Sequence, residues 1–432
     1  MLTGHPIFNS CAESTNQMAE TYQVKMEKMV YGGDCLGRLP DGRAVFVPFV
    51  LPGEVVQVEI LEEKKRYARA FPLELLEDSP DRIAPRCIHF GACGGCQYQN
   101  LDYAKQLELK ETIIRDQFQR IAKIDDPPLQ PIVPSPSPWN YRNTVQFHLG
   151  QFGELGYIHA DGEHLLPIEE CHLPQGAINE LWPQLELGEK SGVYRLGIRL
   201  DTYDSLMLIM EGEDPKPPEF SVDIPISAVY TPPNARLTIL AGDDHLTFNL
   251  LDRNFQVSAR SFFQINTAMA EKMISHLLQH LSFSDETRAI ELYAGVGLFS
   301  AFIAPHVSLL TAIESSGSAC HDFTTNLDEF ENVILYEAEV EDVLQTLKME
   351  ADLLIADPPR AGLAPAVHDA LGTIMPLQIA YISCDPATLA RDVKKILDKG
   401  YRLLSVTPFD LFPQTSHIES INIFELIPPE EE

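Results

Sequence analysis

The chain has 432 residues and a formal net charge of −31, with 45% hydrophobic and 22% charged residues. A chain of this length predicts two or three domains, and the composition is that of an ordinary globular protein. No apolar run approaches the roughly 18 residues that a membrane-spanning helix needs, so we expect no membrane span. The acidic balance argues against a protein that grips nucleic acid by bulk electrostatics, although it leaves room for a local basic surface.

The start of the chain and its cysteines indicate the compartment. The segment from Met1 to Glu20 is polar and lacks a charged stretch followed by an apolar core, so we expect a loose tail rather than a secretory signal. Eight cysteines are too few for a disulfide scaffold, which favours a reduced, cytoplasmic setting. Cys87, Cys93 and Cys96 are clustered, and this spacing predicts a metal site rather than bridges.

Residues 21–80 have the pattern of a small β domain. Alternating apolar residues and closely spaced Gly and Pro turn signals predict five short strands, which favours a barrel of OB type. Lys64-Lys65-Arg66, with Tyr67 and Arg69, form the basic patch of this barrel. The patch is compatible both with a solvated hairpin and with a surface for RNA or phosphate.

The middle of the chain is predicted to be mostly β. Residues 101–124 are helical by period, and residues 127–137 are rich in Pro and Ser and indicate a linker. Strands resume over 138–275, and a helix is predicted from about Asn266 to His280. We therefore expect a barrel over 21–80 and a central domain over 81–275, whose helix 101–124 packs on the last domain.

From Ala289 onward, apolar strands alternate with helical spacers. This order predicts a doubly wound, Rossmann-like α/β domain over 276–432 that ends in a hairpin. Its first loop, Ala294-Gly-Val-Gly297, follows a strand, and Gly295 and Gly297 can let a ligand approach the backbone. Glu314 ends the next strand, where an acid commonly bonds ribose hydroxyls. A bare tight turn is the alternative reading.

Two further features point to the same edge of this sheet. The incomplete glycine pattern favours a nucleoside cofactor without a pyrophosphate and disfavours a nicotinamide oxidoreductase. Asp357-Pro-Pro-Arg360 ends a later strand, and its prolines fix an extended backbone that holds the Asp357 carboxylate toward the crevice. Asp-Pro-Pro is also compatible with a rigid loop that has no binding role.

Cys384 follows the apolar strand that ends at Ser383 and precedes a helix that begins near Pro386. Open α/β sheets bind ligands at the carboxyl ends of their strands, so this thiol is a candidate nucleophile. The free N–H groups of the helix that follows would favour its thiolate. A buried structural thiol is the alternative.

Several motifs together resemble the RNA 5-methyluridine (uracil-C5) methyltransferases. They are Glu291-Leu-Tyr-Ala-Gly-Val-Gly, Ala356-Asp-Pro-Pro-Arg-Ala-Gly-Leu, Ile382-Ser-Cys-Asp-Pro-Ala-Thr-Leu-Ala-Arg-Asp and His417-Ile-Glu-Ser. Phe263-Gln-Ile-Asn-Thr is similar to the cofactor-side stretch of the family, and residues 21–80 resemble its TRAM domain. Cys87-x5-Cys93-x2-Cys96 with a distant Cys171 resembles the iron–sulfur motif of the 23S ribosomal RNA branch.

The resemblance implies a mechanism and a cofactor site. Cys384 would attack C6 of uracil, C5 would take the methyl group of S-adenosylmethionine, and Glu419 would remove the C5 proton. Glu419 shares a strand face with Ile421 and Ile423, so burial of that face would raise the pKa of its carboxyl; a solvated strand-end Glu is the alternative. The residues that match family cofactor positions are Gln264, Tyr293, Glu314 and Asp357, with Glu339 near the adenine. Phe262 or Phe263 would stack on a base, unless both pack in the core.

The cysteine motif leaves two metals open by spacing, because zinc suits it nearly as well as an iron–sulfur cluster. The resemblance favours a [4Fe–4S] cluster on Cys87, Cys93, Cys96 and Cys171. It also implies a monomeric enzyme acting on structured RNA, with 23S ribosomal RNA expected. The alternatives are a transfer-RNA uridine-C5 methyltransferase and, in another class, a non-catalytic RNA-binding or assembly factor. The Cys384 and Glu419 pair argues against the second.

Overall fold

The computed structural model describes residues 20–188, 191–219, 221–233, 236–346 and 350–428, so the expected loose tail lies almost wholly outside the described residues. No helix in this described part is long and apolar enough to cross a membrane. The chain forms two compact units. The first comprises the residues up to Ile113, Phe147–His172 and Phe412–His417; the second comprises Ile114–Gln146, Leu173–Leu411 and Ile418–Glu432.

The first unit opens with a closed five-stranded barrel, as the alternating pattern predicts. Its order is β1-β2-β3-β5-β4, with β3 and β5 parallel and the other pairs antiparallel. Alternate side chains such as Val24, Val45 and Val58 are fully buried in its interior, because successive residues of a strand point to opposite faces. The strands are β1 (Thr21–Met29), β2 (Cys35–Arg38), β3 (Ala44–Val47), β4 (Val55–Glu63) and β5 (Tyr67–Glu77).

One helix and three short strands follow the barrel in the described part of the chain. They are α1 (Tyr103–Gln117), β6 (Thr144–Leu149), β7 (Leu155–Ile158) and β8 (Leu165–Pro167). The predicted helix over 101–124 is shorter than expected as an α-helix, because a π-helical turn, Phe118–Ala122, follows α1 and ends at the left-handed Lys123. In α1, the buried Lys110 donates to the carbonyl of Phe412 at 3.1 Å.

The β region of the second unit contains a mixed set of strands and a separate hairpin. Strands β9 and β10 are antiparallel, β10 and β11 parallel, and β11 and β12 antiparallel. Strands β13 and β14 pair only with each other. The elements are α2 (Gly176–Leu181), β9 (Val193–Leu200), β10 (Leu206–Gly212), β11 (Ser227–Thr231), β12 (Thr238–Ala241), β13 (His245–Leu250) and β14 (Arg253–Ser258).

The segment over 127–137, predicted to be a linker, pairs with a strand of the α/β domain. Leu129 and Val133 form parallel bridges to Val406 and Phe409 in the sheet of the α/β domain. Gln130 and Val133 donate backbone hydrogen bonds to carbonyls of the same strand. Prolines lack an N–H donor but leave these residues in extended backbone, so the segment can lie along a strand edge.

The rest of the second unit is the predicted α/β domain. Its sheet has the order β17-β16-β15-β18-β19-β21-β20, and it is parallel except for β21, which runs antiparallel to both neighbours. Strand order reverses between β15 and β18, and open α/β sheets have their ligand crevice at such a switch, at the carboxyl ends of the strands. The elements are α3 (Thr267–His280), β15 (Arg288–Leu292), α4 (Ser300–Ile303), β16 (Leu309–Glu314), α5 (Gly317–Asn326), β17 (Val333–Glu337), α6 (Val340–Thr346), β18 (Leu353–Ala356), α7 (Pro365–Ile374), β19 (Gln378–Ser383), α8 (Pro386–Leu397), β20 (Tyr401–Phe409) and β21 (Glu419–Leu426).

Candidate active site

Two strands bring Cys384 and Glu419 to the same point of the crevice. Cys384 follows the last residue of β19, and Glu419 is the first residue of β21. The antiparallel register pairs Ser383 with Ser420, so the next position of the ladder sets Cys384 across from Glu419. The thiol is half-buried, whereas the Glu419 side chain is 5% exposed.

The surroundings of Cys384 do not favour a thiolate in the ligand-free protein. Burial, together with the negative charges of Glu419 and Asp357, raises the pKa of the Cys384 thiol to about 12, while Arg360 acts in the opposite direction. The expectation that the N–H groups of α8 favour the thiolate is wrong. The Asp385 carboxylate caps the helix and accepts from the N–H groups of Ala387 and Thr388, each at 2.9 Å.

The carboxyls around the thiol are themselves protonated more readily than usual. Burial and the charge of Asp357 raise the pKa of Glu419 well above its ordinary value, and Arg360 opposes this. Desolvation also raises the pKa of Asp357, to about 7. The expected burial of the strand face shared by Glu419, Ile421 and Ile423 is confirmed. A raised pKa makes a carboxylate a stronger base, which suits proton transfer.

The glycine loop fixes a carboxylate at the carboxyl end of β16. Glu314 accepts from the N–H of Gly295 at 2.8 Å with one oxygen and from the N–H groups of Ser315 and Ser316 with the other. Gly295 has a positive φ of 56°, and open space faces the position that a Cβ would take. Tyr293, just before it, also has a positive φ, and burial raises the pKa of its hydroxyl. A ligand can therefore approach the backbone at Gly295.

Gly297 has a different role in this loop. A Cβ on Gly297 would lie 2.9 Å from the Phe323 ring and would also meet Leu327, both in or next to α5. The sequence pattern grouped Gly297 with Gly295 as a ligand-approach residue, but its surroundings make it a packing residue. Close contact of helix and loop at this point needs a residue without a side chain.

The segment before α3 carries Gln264. Its side chain is buried, and its carbonyl accepts from the side-chain amide of Asn143 at 2.9 Å. Phe263 packs on Phe248 with ring centroids 4.7 Å apart, so it belongs to the core. Phe262 is 71% exposed. Of the two phenylalanines proposed to stack on a base, the exposed one remains a candidate.

A buried ion network that the sequence did not predict supports this segment. Asp322 in α5 accepts from the N–H and the hydroxyl of Ser258 at 2.8 and 2.6 Å. Arg199 in β9 donates to the carbonyls of Ser258 and Ser261 at 2.9 and 3.0 Å. Burial lowers the pKa of Arg199 to about 10, and the charge of Asp322 opposes the shift. Nothing local in the sequence pairs these residues, because the network forms only when the strands and helix pack together.

The four cysteines of the predicted metal site all belong to the first unit. All cysteines of the described part of the chain are thiols. Burial raises the pKa of Cys87 to about 11, and the charges of Cys171, Glu170 and Cys93 add to this. As they stand, no group of three or more His, Cys, Asp or Glu side chains among the described residues is arranged to hold a metal ion. The four side chains are nevertheless of the type that binds zinc and iron–sulfur clusters, because thiols coordinate these metals as thiolates.

Glu170 and His89 join the two parts of this cysteine region. The Glu170 carboxylate accepts from the backbone N–H of Ile88 at 2.8 Å, and the His89 ring accepts from the backbone N–H of Glu169 at 2.9 Å. These bonds hold the chain around Cys171 against the chain around Cys87.

Comparison with known proteins identifies the family. The model of the tRNA (Uracil-5-)-methyltransferase family matches residues 239–425, and the TRAM domain model matches residues 17–73. An uncharacterized RNA methyltransferase of Thermosynechococcus vestitus is 31% identical over 442 residues, which cover 94% of this chain and 98% of that protein. One from Aquifex aeolicus is 33% identical over 424 residues, with shares of 94% and 98%.

A solved structure has the same fold over most of the chain. The tRNA (uracil-54, C5)-methyltransferase of Pyrococcus abyssi, in complex with S-adenosyl-L-homocysteine, matches with a TM-score of 0.72 and 23% identity, and the match covers 93% of this chain and 100% of that chain. The chain belongs to the RNA uracil-C5 methyltransferase family and is an S-adenosylmethionine-dependent RNA (uracil-5-)methyltransferase with an N-terminal TRAM barrel.

Proposed function

We propose that the enzyme methylates C5 of one uridine through a covalent bond between Cys384 and C6 of the base, with Glu419 as the general base. The observation that carries this proposal is the antiparallel register that sets Cys384 across from Glu419 in the crevice. C5 of uracil is a poor nucleophile, and addition of sulfur at C6 gives an enolate with electron density at C5.

The proposed reaction has two stages, addition of sulfur with methyl transfer and then elimination. The Cys384 thiol gives up its proton to solvent, its sulfur forms a bond to C6 as the C5–C6 double bond breaks, and C5 then forms a bond to the methyl group. S-adenosylmethionine supplies that methyl group and departs as S-adenosylhomocysteine. Glu419 next takes the C5 proton, the C5–C6 double bond returns, and sulfur leaves C6. The raised pKa of Glu419 supports this role, because a desolvated carboxylate binds a proton more tightly than a solvated one.

The cofactor is proposed to lie along the carboxyl ends of β15, β16 and β18. Glu314, whose carboxylate is held by three backbone N–H groups, would accept hydrogen bonds from ribose hydroxyls. Gly295 would leave room for the ligand, and Tyr293, Gln264 and Asp357 would line its path. Glu339, exposed beyond the end of β17, would lie toward the adenine.

We infer that the target is a uridine of 23S ribosomal RNA, methylated by a monomeric enzyme in the cytoplasm. The TRAM barrel and the four-cysteine pattern support the ribosomal branch. Transfer RNA is the second candidate, because the Pyrococcus abyssi enzyme of the same fold is named for uracil-54 of tRNA. In either case the uridine must leave its stack to reach Cys384. The parts we expect to act are the barrel over 21–80, the central domain over 81–275 and the catalytic domain over 276–432.

One experiment separates these targets. The enzyme is incubated with labelled S-adenosylmethionine and with total RNA from cells that lack this modification, and the labelled nucleotide is then mapped. We expect a single 5-methyluridine in 23S ribosomal RNA. Label in transfer RNA would replace the ribosomal proposal, and label in neither would mean that the substrate is another RNA.

The catalytic roles are tested by two substitutions. Cys384→Ala is expected to abolish methylation while S-adenosylhomocysteine still binds, because the thiol forms the bond to the base. Glu419→Gln is expected to lower turnover by about 10²–10⁴-fold, and the covalent protein–RNA adduct should persist on denaturing gels because its release needs the base. Wild-type turnover in Glu419→Gln would rule out the assignment, and methylation by Cys384→Ala would rule out the nucleophile.

A [4Fe–4S] cluster is proposed to bind Cys87, Cys93, Cys96 and Cys171, with zinc as the alternative. Its chemistry there would be structural, joining two distant parts of the chain. Protein purified without oxygen should be brown and absorb near roughly 400 nm, as thiolate-bound iron–sulfur clusters do. Cys171→Ala should lose both the colour and the bound iron, whereas Cys35→Ala, a buried barrel cysteine, should keep them. A colourless protein that contains one zinc ion would show that the four cysteines bind zinc instead of a cluster.

A further inference from the structure

Two neighbouring residues of α8 form hydrogen bonds with the backbone of the loop that follows Asp357. Arg391 donates to the carbonyl of Ala361 at 2.8 Å, and the Asp392 carboxylate accepts from the N–H of Leu363 at 2.9 Å. Gly362 lies between these bonds with a φ of 76°, and a Cβ there would overlap the Asp392 carboxylate and the Arg391 guanidinium. The loop is therefore held from both sides of a residue that must be glycine.

Asp392 accepts most of the hydrogen bonds that hold this loop and the elements around it. Its side chain is fully buried, and it accepts from the Tyr381 hydroxyl at 3.0 Å, from His368 at 3.1 Å and from Arg391 at 2.9 Å. These bonds lower the pKa of Asp392 to about 2, against the effect of burial. The carboxylate thus stays charged and ties α7, α8, β19 and the loop together.

The loop held by Arg391 and Asp392 contains Arg360. In the chain, Cys384 lies between β19 and α8. Arg360 immediately precedes Ala361, the residue whose carbonyl Arg391 holds. Arg360 follows the end of β18, the parallel neighbour of β19, and its charge lowers the pKa of both the Cys384 thiol and the Glu419 carboxyl. The charged and titratable groups that act on this thiol are Glu419 of β21, Asp357 after β18, Arg360 of the loop, Asp385 at the start of α8 and Tyr381 of β19.

We propose that Arg391 and Asp392 are positioning residues that hold the loop from Asp357 to Leu363, and with it the Arg360 guanidinium, beside Cys384. Arg360 would stabilise the thiolate that must form for attack on C6, and a cation several ångströms out of place loses most of that effect. This proposal rests on the assignment of Cys384 as the nucleophile.

The test measures alkylation of Cys384 by iodoacetamide from pH 7 to 10, with peptide mass spectrometry to separate this cysteine from the others. Alkylation needs the thiolate but not turnover. Arg391→Met removes the bond to Ala361, and Gly362→Ala forces the loop away from Asp392. Both should slow alkylation by about three- to tenfold at a given pH and move the rising limb upward by about 0.5–1 pH unit.

His368→Leu is the matched control, because it removes a hydrogen bond from Asp392 without touching the loop. It should lower the thermal unfolding midpoint as the other variants do, yet give an alkylation profile within about twofold of wild type. S-adenosylhomocysteine binding should be retained by all three. The proposal would be overturned if Arg391→Met and Gly362→Ala had the alkylation profile of wild type. It would also be overturned if His368→Leu moved the profile upward as much as they do. Failure of the nucleophile assignment would appear separately, as methylation by Cys384→Ala.

Discussion

At the scale of single residues, the crevice gathers carboxyls around a thiol. Cys384, Asp357 and Glu419 all have raised pKa values, each chiefly because of burial. The raised pKa of Cys384 favours the uncharged thiol when no substrate is bound. Under the proposal above, the charge of Arg360 favours the thiolate once the base occupies the crevice and excludes water.

Glu291 extends this group of acids into the sheet. It is 1% exposed in β15 and accepts a hydrogen bond from the Ser300 hydroxyl. Burial, opposed by the bond from Ser300 and reinforced by the charges of Asp357 and Glu314, raises its pKa to about 8. The folded protein therefore keeps a proton on Glu291 that the unfolded chain releases above its ordinary value near 4.5. The contribution of Glu291 to the free energy of unfolding is therefore fully present below pH 4.5 and is lost as the pH rises toward 8.

Glu291→Gln should consequently stabilise the protein in a pH-dependent way. The amide can still accept from Ser300 and never ionises, so the variant should be more stable than wild type by about 1–3 kcal/mol at pH 8.5 and nearly equal to it at pH 5. Thermal unfolding of both proteins at the two pH values measures the difference. The same difference at both values would mean that Glu291 does not titrate in this range.

The sequence predicted these residues unevenly. Cys384 and Glu419 carry family motifs, but alternation does not account for the burial of Glu419, because Ser420 and Asn422 on the other face of β21 are buried as well. The cap formed by Asp385 was missed, although an Asp before Pro at a helix start is a local signal. The roles of Arg360, Asp392 and Arg199 could not be predicted, because each depends on contacts between elements that are distant in the chain.

At the scale of elements, the glycine loop joins β15 to α4 by two glycines with different surroundings. Open space faces Gly295, whereas Phe323 and Leu327 crowd Gly297. Both have positive φ values, so a side chain at either position costs about 1 kcal/mol in backbone conformation. The difference between them is the packing, and it gives a matched pair of substitutions.

Gly297→Ala should destabilise the protein by about 2–4 kcal/mol, because backbone strain adds to overpacking against α5. Gly295→Ala should cost only about 1 kcal/mol of stability but weaken S-adenosylhomocysteine binding by tenfold or more, because the new methyl group occupies the ligand path. Denaturant unfolding and calorimetric titration measure the two effects. Equal loss of cofactor affinity in both variants, after correction for unfolded protein, would contradict the separation of roles.

Elements were predicted well where the hydrophobic period was long. The five barrel strands, the parallel strands from β15 to β19 and the helix capped by Asn266 are confirmed. The extended run of residues 127–137 was not, because its pairing with β20 comes from a sheet edge that local composition does not reveal. The π-helical turn at Phe118–Ala122 has no sequence signature of its own, and it packs against α8.

At the scale of the whole molecule, a net charge of −31 must be reconciled with an RNA substrate. The predicted basic patch on the barrel is largely neutralised. Lys64 pairs with Glu62 at 2.7 Å, and Arg69 lies 3.7 Å from Asp34. Lys65 and Arg66 at the tip of the β4–β5 hairpin are exposed and form no ion pair with another residue in the described part of the chain. These two cations, rather than the whole patch, are the expected phosphate contacts of the barrel.

The salt dependence of RNA binding tests this assignment. Each phosphate contact that is lost should reduce the slope of log affinity against log salt by about 0.7–0.9, so the double variant Lys65→Ala with Arg66→Ala should reduce it by about 1.5. Lys64→Ala is the matched control on the same hairpin, and its slope should change by less than half as much because Glu62 already compensates its charge. Filter binding between roughly 50 and 200 mM salt measures the slopes. An unchanged slope in the double variant would move the RNA contacts off the hairpin, and an equal change in Lys64→Ala would mean that RNA displaces Glu62 and uses the whole patch.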